Sequence, residues 1–172
     1  MPRIFSTKII LCFLALLLLD WIFLPPLKNG FFQPILLYLI VLYAGFEYSW
    51  RHALRFAFAV GFLRDALSTQ PLGVETAVLF SATLALAFFV KKVERNSFTM
   101  RLFVGFFYIF SVNFFVLVLS SLLGFVGHSL WKCFTLAVST GFSTVLFLPL
   151  FSTLMEKGLG EKMPRTQYEL FR

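Results

Sequence analysis

A chain of 172 residues with 59% hydrophobic and 13% charged side chains and a mean hydropathy of +0.87 lies far from soluble domains, which run at about 45–50% apolar and about 25% charged. It reads as an integral membrane protein, and its net charge of +7 does not point to nucleic acid, because the basic residues fall between apolar runs, as topology signals do. Two isolated thiols, Cys12 and Cys133, offer neither a disulfide framework nor a metal-ligand cluster.

The first predicted span is Ile9–Leu27. Arg3 and Lys8 precede it in the manner of a signal peptide, but no small-x-small cleavage site follows, so it is expected to stay as an uncleaved helix. Leu11, directly before Cys12, is too large for a lipoprotein processing site. Near the outer end stand Trp21 and Asp20, an intramembrane acid whose nearest expected partners are Lys28 and Arg64, with interfacial solvation as the alternative.

The second span, Phe31–Phe46, opens near Pro34, and the third, Ala53–Leu67, follows Tyr48 and Trp50 at the inner interface. With a helical rise of about 1.5 Å per residue, Asp65 falls roughly two-thirds of the way across from the inside. Gly61 lies one turn earlier and leaves room for a neighbouring backbone to approach the carboxylate. Pro71 and Gly73 break the chain and restart it as the fourth span, Val74–Val90, with Glu75 in its first turn, where the helix dipole favours a negative charge. Two readings compete for this segment. In one, Arg64 snorkels outward and Asp65 caps or pairs locally in a tight outer hairpin; in the other, a buried polar knot fixes the bundle or receives a partner's helix.

The fifth span, Leu102–Phe125, has Asn113 near its midpoint, with Ser111, Ser120 and Ser121 nearby. The sixth, Leu130–Met155, is longer than one crossing and carries the small-xxx-small pairs Ala137 and Gly141, Ser139 and Ser143, and Thr140 and Thr144. Helix packing is the expected role of Asn113, Gly141 and Ser143, and Pro149 is expected to kink the sixth helix. The Phe residues, 25 in all, recur in every segment and are expected to be lipid-facing or inter-helix filler. His52 and His128 stand singly at opposite ends of spans, and the chain has no phosphate-cradling loop, nucleophile elbow or HExxH pair. No catalytic residue, cofactor or metal is expected.

With six spans the connections alternate sides. Arg3, Lys8, Arg51, Arg55, Lys91, Lys92, Arg95, Arg101, Lys157, Lys162, Arg165 and Arg172 then fall on one side, against Lys28, Arg64 and Lys132 on the other. The positive-inside rule makes the richer side, with both termini, cytoplasmic. The cluster Lys91, Lys92, Arg95 and Arg101 reads first as a topology signal, ahead of a contact for anionic lipid or a partner. The expectation is an all-α polytopic protein: six transmembrane helices in one compact bundle, a single integral membrane domain over residues 1–172.

The run Gly61-Phe62-Leu63-Arg64-Asp65-Ala66-Leu67, followed by Leu72-Gly73, resembles the rod shape-determining protein MreD family, whose members carry a Gly-Leu-Leu-x-Asp-Leu-Leu-like run and then a Leu-Gly pair. Pro34 is similar to the family's proline at the start of its second span, whereas Arg64 stands where an apolar residue is expected. The resemblance implies a non-enzymatic scaffold in the cell inner membrane. It would bind MreC and other elongation-complex membrane proteins within the lipid bilayer, without nucleic acid, and help couple the actin-like MreB to lateral peptidoglycan synthesis. The partner-binding or structural motif is then Gly61, Arg64, Asp65, Pro71, Gly73 and Glu75. The alternative is the substrate-binding membrane subunit of an energy-coupling-factor-type transporter, similar in layout. The bulky Leu16-Leu17-Leu18-Leu19, where such subunits offer an Ala-xxx-Ala face, argues against it. A lipid-modifying enzyme would need His or carboxylate clusters at the headgroup plane, and the sequence has none.

Overall fold

In hydrocarbon every backbone N–H and C=O must find a partner within the protein, and a helix achieves this inside one segment. The computed structural model, which describes residues 18, 20, 34–47, 50–68, 71–90, 98–125 and 127–159, is helical in every regular element among them. These are α1 (Leu37–Glu47), α2 (Trp50–Leu67), α3 (Val74–Val90), α4 (Phe98–Leu122), α5 (Leu130–Val145) and α6 (Leu148–Leu159). The expected first span lies outside the described residues, Leu18 and Asp20 excepted.

In the described part of the second expected span, residues 34–46, the helix begins at Leu37. Ile35 and Leu36 form a lead-in turn after Pro34, with Leu39 N–H on the Leu36 carbonyl at 3.0 Å. α2 starts at Trp50, ahead of the expected Ala53, and α3 keeps the expected bounds. α4 runs from Phe98 to Leu122 rather than from Leu102 to Phe125. Gly124 ends it at φ +78, with Gly124 N–H on Ser121 O at 3.1 Å and Phe125 N–H on Ser120 O at 3.0 Å, the paired closure of a Schellman motif. Ser129 caps α5 through Lys132 N–H at 3.4 Å.

The expected single kinked sixth helix is two helices. Pro149 has no N–H to continue the ladder, and the turn tightens just before it, where Phe147 N–H reaches Thr144 O at 3.1 Å. Taken through this break, Leu130–Leu154 is one of two described helices long and apolar enough to cross a membrane; Thr99–Leu122 is the other. Leu37–Glu47 and Val74–Phe89 are apolar but shorter, and α2 carries Arg51, Arg55, Arg64 and Asp65. Six crossings are therefore not established by the described helices alone.

α1 is the axis of the assembly. Leu37 to Leu42, Ala44 and Phe46 are all buried, and α1 meets α2, α3, α4 and α6, while α2 with α3 and α4 with α5 form two antiparallel hairpins around it. Leu39, Val41 and Leu42 join Val60, Leu79, Ile109, Val112 and Phe151 in one core. The α4–α5 seam closes on a glycine: a Cβ at Gly141 would stand 3.2 Å from the Phe106 ring. Phe58, Phe62, Phe88, Phe103 and Phe142 point outward, as side chains in contact with lipid do.

Candidate functional site at the turn between α2 and α3

The first four N–H groups of a helix have no partner within it, and a side chain at the N-cap usually satisfies one of them. In α3 the N-cap is Gly73, whose carbonyl accepts from Ala77 N–H at 2.9 Å. Gly73 has φ +93 and no side chain to offer. Asp65, near the end of the preceding helix, does the capping instead. Its Oδ1 accepts Glu75 N–H at 3.0 Å, and its Oδ2 accepts both Thr76 N–H at 2.9 Å and the Thr76 hydroxyl. The carboxylate is buried, and the positive end of the α3 dipole faces it.

Gly61 makes this reach possible. A Cβ there would lie 2.6 Å from Thr76 Cα, so α2 and α3 touch backbone to backbone one turn below the capping carboxylate. Pro71 sits half-buried in the turn, its carbonyl accepting Val74 N–H at 3.4 Å.

Arg64 does not pair with the neighbouring Asp65. Successive helical side chains diverge by about 100°, and Arg64 turns toward two other acids: its Nε pairs with Glu75 Oε1, and its Nη1 stands 3.6 Å from Asp20 Oδ2. The guanidinium also lies 5.1 Å from the centroid of the Tyr38 ring, and the Tyr38 hydroxyl donates to Glu75 Oε1 at 2.5 Å. Arg64 is 23% exposed, whereas Asp20 and Glu75 are buried, so the guanidinium is directed inward rather than snorkelling outward. Of the two sequence partners named for Asp20, Arg64 stands beside it, and Lys28 lies outside the described residues. The segment thus contains both a cap and a buried polar knot, built from different side chains.

The remaining sequence-singled residues lie away from this turn. Asn113 is buried within α4, Gly141 lies in the α4–α5 seam, and the Ser143 hydroxyl donates back to Ser139 O at 2.7 Å and Thr140 O at 3.2 Å. Lys91, Lys92 and Arg95 lie outside the described residues; Arg101 Nη1 pairs with Glu47 Oε1 at 2.9 Å. Partial burial, and then the nearby Arg55, hold the His52 imidazole below its usual value of 6.5. Among the described residues no group of three His, Cys, Asp or Glu is placed to hold a metal ion.

Among the described residues, several polar contacts had no counterpart in the sequence reading. Tyr38 and Thr76 complete the turn site, Thr83 Oγ1 and the Tyr108 hydroxyl share a hydrogen bond of 2.8 Å between α3 and α4, and Thr144 Oγ1 accepts Ile35 N–H at 2.9 Å. Thr76 had the nearest thing to a signal: it is the third residue after a glycine N-cap, the position whose amide a cap must reach.

A family model described as rod shape-determining protein MreD matches residues 1–157. No curated protein and no solved structure matches the chain.

Proposed function

The chain belongs to the rod shape-determining protein MreD family, and from that premise we propose that it is a non-enzymatic scaffold of the bacterial cell-elongation complex. In this reading a single integral membrane domain crosses the inner membrane six times with both termini cytoplasmic. It binds MreC and other membrane proteins of the complex, and supports lateral peptidoglycan synthesis. The observation that carries the reading is the use of the polar groups at the α2–α3 turn. Asp65 holds the α3 amides, and Glu75 holds Tyr38 and Arg64, so these groups join helices to one another. A pre-organised bundle of this kind suits lateral recognition of a partner helix.

The six-span arrangement has support from two ion pairs. Alternating spans put the late first span, the late third span and the start of the fourth on one side, and Arg64 meets both Asp20 and Glu75 there. They put the end of the second span and the start of the fifth on the other side, where Arg101 meets Glu47. The excess of basic residues counted in the sequence supports this second side as the cytoplasmic one in the proposed arrangement.

Depletion in the source bacterium, scored for cell shape and combined with recovery of the tagged chain, tests the proposal. Rounding of rods with MreC recovered is the expected result. Unchanged shape with transporter ATPases recovered overturns it in favour of the transport reading.

A further inference from the structure

One face of α2 stays uncovered along its whole length. Arg51, Arg55, Phe58, Ala59, Phe62 and Ala66 are all exposed, and at 3.6 residues per turn these positions fall within one stripe. Arg64 and Val60 project on the other side, toward the bundle.

The stripe changes character from end to end. At the start of α2 the Arg51 guanidinium lies 5.5 Å from the centroid of the half-exposed Trp50 ring, a residue type that settles at headgroup level. Arg55 follows one turn later, about 6 Å further along the axis, within reach of the same headgroup plane through its flexible stem. Beyond it the stripe is wholly apolar: Phe58 and Phe62 stack at 6.3 Å with their planes 12° apart, and the small, exposed Ala59 and Ala66 lie on the same stripe. From Arg51 to Phe62 the distance is about 16 Å along the axis, close to the roughly 15 Å half-thickness of a hydrocarbon core.

We propose that this stripe is a binding site for one anionic phospholipid of the cytoplasmic leaflet, its phosphate held between Arg51 and Arg55 and its acyl chains lying along Phe58, Ala59 and Phe62. Cation first and aromatic surface after it is the head-to-tail order of such a lipid. Anionic headgroups are also the abundant counter-charge at that depth on the cytoplasmic face. The site requires the membrane placement of α2 but not the scaffold role, so it stands or falls separately from the binding of MreC.

The test uses the purified full chain in nanodiscs containing equal parts phosphatidylglycerol and phosphatidylcholine of matched acyl chains, with retained lipid counted by native mass spectrometry. A basic residue at an anionic surface is worth about 1 kcal/mol, or about fivefold. The wild type is therefore expected to retain phosphatidylglycerol in preference, and the double variant Arg51→Gln with Arg55→Gln to lose that preference by about tenfold or more. The double variant Arg51→Lys with Arg55→Lys, which keeps both charges, retains it, and so does Lys132→Gln at the opposite end of the molecule. Free glycerol phosphate does not displace the lipid if the aromatic stripe contributes. Undiminished preference in the glutamine variant overturns the assignment, as does an equal loss in Lys132→Gln, displacement by glycerol phosphate alone, or occupation of the stripe by a co-purified protein helix.

Discussion

Asp65 holds Thr76 twice, through the backbone N–H at 2.9 Å and through the side-chain hydroxyl, although the two residues belong to different helices. The cap of α3 is thereby supplied in trans, and the α2–α3 hairpin is closed by a carboxylate as well as by the chain that connects it.

Asp65→Ala leaves the amides of Glu75 and Thr76 buried without this acceptor. A lost cap costs about 0.5–2 kcal/mol, and a hydrogen bond to a charged group about 1.5–3 kcal/mol, so a loss of about 2–4 kcal/mol is expected. Asp65→Asn keeps one acceptor oxygen and should fall between Ala and wild type. Thermal unfolding in detergent and rescue of rod shape in depleted cells measure the two effects. A stability for Asp65→Ala within about 0.5 kcal/mol of wild type, the usual range for an uninvolved position, removes the cap from the account.

Gly61→Ala places a Cβ against the backbone of Thr76, which cannot swing aside as a side-chain tip can. Over-packing of this sort costs about 1–3 kcal/mol, and the displacement should also lengthen the Asp65 contacts. Gly127, beside which a Cβ would meet nothing within 4 Å, is the matched control. Equal tolerance of Ala at both sites in the unfolding assay contradicts the close approach of α2 and α3.

Removing the shared cation tests the knot. Arg64→Gln takes the cation away from the buried carboxylate of Glu75, and breaking a buried pair this way costs about 3–5 kcal/mol; the partial exposure of Arg64 places the expectation at the lower end. Adding Glu75→Gln should recover part of the loss, because it removes one uncompensated charge and keeps an acceptor for Tyr38. A double-mutant cycle with strictly additive losses rules out the coupling. By contrast, Arg101→Gln breaks a pair with an exposed Glu47 and should cost about 0–1 kcal/mol.

Thr144→Val preserves shape and deletes the acceptor of Ile35 N–H. The expected penalty is about 1–3 kcal/mol for a buried donor left without its partner, accompanied by faster hydrogen exchange at the Ile35 amide. An unchanged exchange rate there shows that α5 does not anchor the start of α1.

What the sequence made legible was set by rarity. Charges, glycines and a proline are scarce in an apolar span, so Gly61, Asp65, Gly73 and Glu75 stood out, and their spacing placed the turn correctly. Their partners were not legible, because the pairing is long-range. Tyr38 lies 37 residues before Glu75 and reads locally as one more core aromatic. The destination of Asp65 was hidden because an aspartate followed by a glycine N-cap eight residues later becomes a cap only when the hairpin closes. Thr144 was visible as a small residue suited to packing, but its hydroxyl meets an amide 109 residues away. The bounds of α4 and the split before Pro149 depended on how a helix ends, which apolar runs do not record.

The shortness of α1 has a mechanical consequence. Eleven residues rise about 16 Å, half of a hydrocarbon core, yet nearly every side chain of α1 meets other helices rather than lipid. Its length therefore need not match the bilayer. Hydrophobic mismatch is then left to the longer helices packed around it, α4 foremost with its 25 residues, and tilting of those helices absorbs it while the shielded α1 is spared.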